Sequence, residues 1–102
     1  MLGKKLSDDA LKTVNQRGNN YGDINKAHED IAKGWGVILG VDITKEQVSL
    51  CMDWLKTVRL KSKPNHYDSL VDKVGYAITY YETMKGNKKW LIFMLLISIH
   101  IN

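Results

Sequence analysis

Charged side chains that fall on apolar helix faces are the residues of this sequence most able to do chemistry. In the helix predicted from Thr44 to Leu60, Arg59 falls inside the apolar arc and Lys56 lies at its border. A guanidinium left unpaired in a core would cost several kcal/mol, so Arg59 requires a buried carboxylate or an anionic ligand. Lys56 has a flexible stem and can reach the same site.

Two carboxylates project together from the next predicted helix. Asp68 and Asp72 lie one turn apart, and Gly75 continues their ridge without a side chain. Like charges at this spacing repel unless a cation lies between them, and that cation is Arg59, Lys56 or a divalent metal. Carboxylate oxygens suit Mg²⁺, which often binds substrate phosphates as well. The sequence therefore predicts Asp68 and Asp72 as magnesium ligands, with a structural salt bridge from Arg59 as the alternative.

Two further residues are candidates for contacting a ligand. His28 lies inside the apolar stripe of the second predicted helix, between Ile31 and Trp35, where it either contacts a ligand or is hydrogen-bonded in the core. Arg17 and the turn at residues 21–23 could form an anion-binding turn at a helix N-terminus, although helix capping explains that turn equally well. The predicted ligand or phosphate site consists of Arg17, His28, Lys56 and Arg59.

Other chemistries lack their motifs. The sequence contains no CxxC, Walker loop, GxGxxG or HExxH motif, so structural zinc and hydrolase triads are unsupported. Cys51 lies in the apolar arc of its helix without a nearby histidine, and we expect it to be an inert packing residue.

Four helices must position these side chains. Ser7 is the expected N-cap of the first, which should end near Arg17, and Asp23 is the expected cap of the second. Thr44 and Gln47 form a capping box that opens the third helix, which the segment around Pro64 ends. The fourth should begin at about residue 66 or 67. We therefore predict an all-α, single-domain, four-helix bundle-like core over residues 1–85.

Composition fixes the class of protein but not its function. The chain has 102 residues, of which 44% are hydrophobic and 25% charged, as expected for one globular domain. With one cysteine and no apolar leader after its charged start, it is predicted to be cytoplasmic. The net charge of +4 is small and its lysines are scattered, so the sequence does not favour nucleic-acid binding.

The C-terminal segment, residues 86–102, departs from this average. Trp90–Asn102 is almost wholly apolar, yet as a helix it would span only roughly 18 Å, too short to cross a membrane. We expect a fifth helix or a strand that packs on the core or on another copy, giving a homo-oligomer (a dimer or higher). Attachment to a membrane surface beside Lys88 and Lys89 is the less favoured alternative.

Several motifs between Asn15 and Glu82 resemble a family of short phage and prophage proteins of unknown function. They are Asn15-x-Arg17, Tyr21-Gly22-Asp23, His28-x-x-Ile31-Ala32-x-x-Trp35, Met52-x-x-Leu55-Lys56-x-x-Arg59-Leu60 and His66-x-Asp68-Ser69-x-x-Asp72-x-x-Gly75-Tyr76-Ala77. The most specific part is Lys-x-x-Arg followed by Asp-Ser-x-x-Asp-x-x-Gly-Tyr.

That family is in turn distantly similar to the all-α nucleotide pyrophosphohydrolases of the MazG type. This resemblance implies a helical bundle, often dimeric, in which two acidic motifs hold Mg²⁺ while water attacks a nucleoside triphosphate between its α- and β-phosphates. Asp68-x-x-x-Asp72 is similar to the second motif, with Ser69 where another acid often stands. The first motif, Glu-x-x-Glu, has no match, because Ala32 stands three residues after Glu29.

Two functions follow from these observations. The first is the binding of a nucleotide or another phosphate ligand by a phage-type helical protein. Such a protein either has Mg²⁺-dependent pyrophosphohydrolase activity or retains the fold without that activity. The alternative is a non-enzymatic protein that binds and inhibits a host or anti-phage defence component. Either would act in the host cell cytoplasm.

Overall fold

The computed structural model describes residues 1–85 and Leu96, and the described residues form four helices without a strand. The helices are α1 (Leu2–Tyr21), α2 (Ile24–Leu39), α3 (Lys45–Ser62) and α4 (Tyr67–Lys85). The predicted all-α, four-helix core is thus confirmed. In this part of the chain, none of the helices combines the length and apolarity needed to cross a membrane. The predicted packing of Trp90–Asn102 lies outside the described residues, apart from Leu96.

The predicted starts of α2 and α3 are confirmed by their capping hydrogen bonds. The Asp23 carboxylate accepts a hydrogen bond from the backbone N–H of Asn25 at 2.9 Å. At α3, the Thr44 hydroxyl accepts from the Gln47 backbone N–H at 3.2 Å, and the Gln47 side-chain oxygen accepts from the Thr44 N–H at 2.8 Å. Such reciprocal bonds satisfy donors that the first helical turn leaves free.

The predicted limits of α1 were wrong at both ends. The helix begins at Leu2 rather than after Ser7, and its first turns contain the ion pairs Lys4–Asp8 and Lys5–Asp9. It also continues past Arg17 to Tyr21, since a single helical glycine such as Gly18 costs only about 1 kcal/mol.

Helix α4 is the central element and packs against the other three helices. It runs antiparallel to α3. The Ser49 and Thr79 hydroxyls meet at 2.8 Å near one end, and Lys73 Nζ lies 2.9 Å from Asp53 Oδ1 further along. Arg17 links α1 to the N-terminal part of α4 through Asp72.

The buried faces of α3 and α4 differ from the predicted apolar arcs. Cys51, Leu55 and Val58 were predicted to face the core, yet all three are exposed. The helices instead meet through small side chains, which allow their backbones to approach closely and leave the larger side chains outside. Buried positions include Val48, Ser49, Ser69, Val71, Gly75, Thr79 and Thr83.

Gly36→Ala is expected to destabilise the protein, whereas Gly34→Ala is expected to stabilise it. A Cβ atom on Gly36 would lie 2.9 Å from the Val41 carbonyl oxygen, where the chain turns from α2 to α3. Relieving this contact requires backbone movement, so we expect a loss of about 1–3 kcal/mol. At Gly34 nothing lies within 4 Å, and alanine should add up to about 1 kcal/mol through helix propensity. Urea unfolding of both variants measures this difference, and equal effects would contradict it.

Candidate functional site

A cluster of three charges links three helices. On α4, the Asp72 side chain is only 14% exposed. Its Oδ2 atom lies 3.0 Å from Lys56 Nζ on α3, and its Oδ1 atom lies 3.4 Å from a terminal nitrogen of Arg17 on α1. Asp72 is therefore held between two cations, and the cluster carries one net positive charge. Arg17 is half-exposed and keeps further N–H donors for an anion.

The predicted burial of Arg59 was wrong. Arg59 is exposed, and no ion pair joins it to Asp68 or Asp72. The buried face of α3 is rotated away from the predicted arc, so Lys56 turns inward and Arg59 turns outward. Lys56, which was one of the cations predicted to pair with these carboxylates, is thus the one that pairs with Asp72. Asp68 is exposed as well, and the ion pairs of this cluster do not include it.

A cavity of about 280 Å³ opens between α1, α2 and α4, beside the ion cluster. Its walls are mainly apolar, and three of the predicted site residues, Arg17, His28 and Asp72, line it together. The full lining consists of Thr13, Val14, Arg17, Gly18, Gly22, Ile24, Ala27, His28, Ile31, Val71, Asp72, Gly75, Tyr76 and Thr79. An apolar cleft with a few polar groups at one edge is the usual form of a small-molecule site.

Gly75 fixes the spacing of the wall between α1 and α4. It is buried, and a Cβ atom there would lie 3.5 Å from Val14 Cγ2. The group nearest to this position from another helix is therefore a side chain of α1. Because alanine would make only an ordinary contact, a larger side chain at this position would enter the cavity or push α1 away.

His28 is buried, as predicted, and belongs to a polar network below the cavity. Its Nδ1 atom lies 3.5 Å from the Ser49 hydroxyl, which in turn lies 2.8 Å from the Thr79 hydroxyl. Burial lowers the pKa of His28 below its ordinary value of 6.5, and a hydrogen bond with the Lys45 backbone opposes this shift. A neutral imidazole with these partners agrees with the alternative in which His28 is hydrogen-bonded in the core. It contributes an uncharged side chain to the cavity wall.

His28 should make the protein less stable in acid. Because its folded pKa is lowered, the unfolded chain binds the proton more readily, so stability falls as pH drops through 6.5 towards the folded pKa. The slope for one group is at most about 1.4 kcal/mol per pH unit. Urea unfolding between pH 8 and pH 5.5 should show this loss in the wild type, and less of it in His28→Gln. An identical pH dependence in His28→Gln would contradict the assignment.

The magnesium site predicted at Asp68 and Asp72 stays a prediction. Among the described residues, no three His, Cys, Asp or Glu side chains come close enough together to hold a metal ion. Both oxygens of Asp72 also face cations, Arg17 and Lys56. These residues do not fit Mg²⁺ without further ligands, and we derive no step through it.

Sequence reasoning missed much of the cavity wall. Tyr76, Thr79 and Val71 line it from α4, and Ile31 lines it from α2. The pairing of Ser49 with Thr79 has no sequence signal, because a hydroxyl is compatible with either face of a helix.

Comparisons with known proteins place the chain near phage proteins. The model of a family described as "Domain of unknown function (DUF6378)" matches residues 5–83. The "Gene 55 protein" of Mycobacterium phage L5 is 43% identical over 63 residues, which make up 61% of this chain and 40% of that protein. The chain thus spans well under half the length of this relative. No solved structure matches the present chain. The predicted resemblance to a phage family of unknown function is confirmed, while similarity to MazG-type enzymes stays a prediction.

Proposed function

Because this chain belongs to the family described as "Domain of unknown function (DUF6378)", its function must be inferred from its own residues, and we propose that it binds a nucleotide or another phosphate ligand. The ligand occupies the cavity between α1, α2 and α4. The observation that carries this proposal is the meeting of an apolar cavity with a net positive ion cluster at its edge.

The two parts of the site suit the two parts of a nucleotide. The apolar wall that includes Tyr76 and Ile31 suits a planar base. Arg17 can donate two parallel hydrogen bonds to a phosphate, as guanidinium groups commonly do. Asp72 accepts a hydrogen bond from Arg17 and forms an ion pair with Lys56, and we assign it the role of holding these cations at the cavity edge.

The size of the cavity limits what enters it. At about 280 Å³ it lies near the lower end of ligand pockets, which usually measure about 300–1,000 Å³. We therefore expect the base and part of the sugar inside, with the phosphates outside against Arg17. A more specific form of this proposal is that the protein also hydrolyses the nucleotide between its α- and β-phosphates, as the resemblance of Asp68-x-x-x-Asp72 implies.

A nucleotide panel tests the proposal on the full chain. We expect nucleoside mono- and triphosphates to raise the melting temperature of the wild type, and inorganic phosphate alone to raise it less because the apolar wall stays unoccupied. Arg17→Gln should lose at least tenfold in affinity, as measured by calorimetry. Lys26→Gln, which removes an exposed lysine paired with Asp30, should bind as the wild type does.

The same panel separates binding from catalysis. If no nucleotide stabilises the wild type, or if Arg17→Gln binds normally, the proposal is wrong. Each nucleotide is measured with and without Mg²⁺, and pyrophosphate release is followed. If nucleotides bind independently of Mg²⁺ and no pyrophosphate is released, the protein is a binding module and the enzymatic form of the proposal is wrong.

The second candidate is a non-enzymatic interaction protein of phage origin, which inhibits a host or anti-phage defence component in the host cytoplasm. It is favoured by the apolar side chains that α2 and α3 expose, such as Ile38 and Trp54. Failure of every nucleotide to bind, together with capture of a defined host protein that depends on Trp54, would favour this candidate.

A further inference from the structure

The charges around the cavity between α1, α2 and α4 limit the number of phosphates that a ligand can bring. Among the described residues that line it, Arg17 alone carries a positive charge. Asp72 lines it with a negative charge, and His28 lines it as a neutral imidazole because burial lowers its pKa. Lys56 does not line the cavity, and its ammonium group is already paired with Asp72. An anion in the cavity therefore meets one guanidinium.

The start of α2 does not provide a second anion site. Gly22 and Ile24 line the cavity, so α2 begins at its edge. Backbone N–H groups at the start of a helix commonly bind phosphate. Here, however, the Asp23 carboxylate accepts a hydrogen bond from the Asn25 N–H at 2.9 Å and places a negative charge at this end of the helix. A second phosphate would meet a like charge there.

Carboxylates also lie on the α4 side of Arg17. Asp72 Oδ1 is 3.4 Å from the guanidinium, and Asp68, one turn earlier on α4, is exposed. The described residues do not gather three metal-ligating side chains, so they do not fit a Mg²⁺ ion that would offset a longer phosphate chain. Each phosphate beyond the one bound by Arg17 would therefore add negative charge beside carboxylates, and like charges at short distances repel.

We infer that the nucleotide this cavity takes is a nucleoside monophosphate rather than a di- or triphosphate, an inference that rests on the proposed function. A phosphate monoester carries a charge of about −1.5 to −2 at pH 7, and one guanidinium binds it through two parallel hydrogen bonds. Arg17 is half-exposed and keeps N–H donors for this purpose. The ion cluster of Arg17, Lys56 and Asp72 carries one net positive charge, which suits one phosphate and leaves a triphosphate largely unbalanced.

This preference also bears on catalysis. Hydrolysis of a nucleoside triphosphate between its α- and β-phosphates consumes water and releases a nucleoside monophosphate and pyrophosphate. A cavity whose cation is Arg17 alone would hold that monophosphate product more readily than the triphosphate substrate. The inference therefore favours the binding module over the enzymatic form of the proposed function.

Calorimetry on the full chain with adenosine, AMP, ADP and ATP tests the inference. We expect AMP to bind at least tenfold more tightly than adenosine, and ADP and ATP to bind no more tightly than AMP. Addition of Mg²⁺ should change the affinity for ATP less than threefold. Arg17→Gln should lower the affinity for AMP to that for adenosine and leave adenosine binding unchanged, because the substitution removes only the phosphate contact.

A matched pair of lysine variants tests whether charge sets this preference. Gly18 lines the cavity next to Arg17, whereas Gly34 is exposed on α2 and does not line it. A Cβ atom at either position would have no other group within 4 Å. Gly18→Lys adds a second cation at the cavity, so it should raise the affinity for ATP relative to AMP at least threefold. Gly34→Lys adds the same charge elsewhere and should leave this ratio unchanged.

Failure of the inference is distinct from failure of the proposed function. If ATP binds the wild type more tightly than AMP, the inference is wrong and the proposed function stands. If AMP binds no more tightly than adenosine, Arg17 does not hold a phosphate and both are wrong. If no adenine compound binds, the guanosine, cytidine and uridine series are measured in the same way, and failure of all four series overturns both.

The lysine variants decide the physical basis of the inference. An equal ratio of ATP to AMP affinity in Gly18→Lys and Gly34→Lys would show that charge does not limit the number of phosphates, and it would overturn the inference. If Gly18→Lys does not fold by circular dichroism, the wild-type series decides the question alone.

Discussion

Asp72→Ala is expected to lower the free energy of unfolding by about 1–3 kcal/mol. The substitution leaves Lys56, which is largely covered, without its carboxylate, and it also frees Arg17 from α4. Loss of one partner of a fully buried pair costs more, but the exposure of Arg17 screens part of the interaction. Urea unfolding of the full chain measures the effect.

A matched variant isolates the role of this position. Asp8→Ala removes a carboxylate from the exposed Lys4–Asp8 pair on α1, and it should change stability by less than about 0.5 kcal/mol. If Asp72→Ala is as mild as Asp8→Ala, then Asp72 does not hold the three helices together. Asp72→Asn, which keeps the shape but not the charge, is expected to fall between the two.

Ala27→Phe is expected to reduce nucleotide binding at least tenfold while the protein stays folded. Ala27 lines the cavity on α2, so a phenyl group there would occupy much of the 280 Å³ that a base requires. Filling an apolar cavity keeps or raises stability when the new side chain fits, and overpacking lowers it by about 1–3 kcal/mol. Calorimetry gives the affinity, and thermal unfolding shows that the fold is retained.

The control for this variant is Ala77→Phe. Ala77 is an exposed position on α4 outside the cavity, so the same substitution there should leave nucleotide binding unchanged. If Ala27→Phe folds and binds nucleotide as well as Ala77→Phe does, the ligand does not occupy the cavity between α1, α2 and α4.

Local signals predicted the helices well because they depend on neighbouring residues. The Asp23 cap and the Thr44–Gln47 capping box occur where the sequence indicated, since each involves residues within three positions of one another. Burial of His28 was also predicted, because it lies among apolar residues of one helix. These features require no knowledge of how the helices pack.

Packing between helices could not be predicted in the same way. Helix α3 is apolar on more than one side, so the helical wheel did not decide which side meets α4. The contact is made through Ser49, which pairs with Thr79, and this choice turns Lys56 inward and Arg59 outward. The pairing of Asp72 with Lys56 was therefore among the predicted alternatives, whereas Arg59 and Asp68 are exposed and take no part in the ion cluster.

The measurement that tests the central claim most directly is an NMR titration of the isotope-labelled full chain with ATP. We expect saturable shifts in the residues that line the cavity, including Arg17, Val71, Gly75 and Tyr76, with little change at Val58, an exposed residue of α3 outside the cavity. Shifts confined to exposed lysines, or the absence of saturable shifts, would contradict the assignment of this cavity as a nucleotide site.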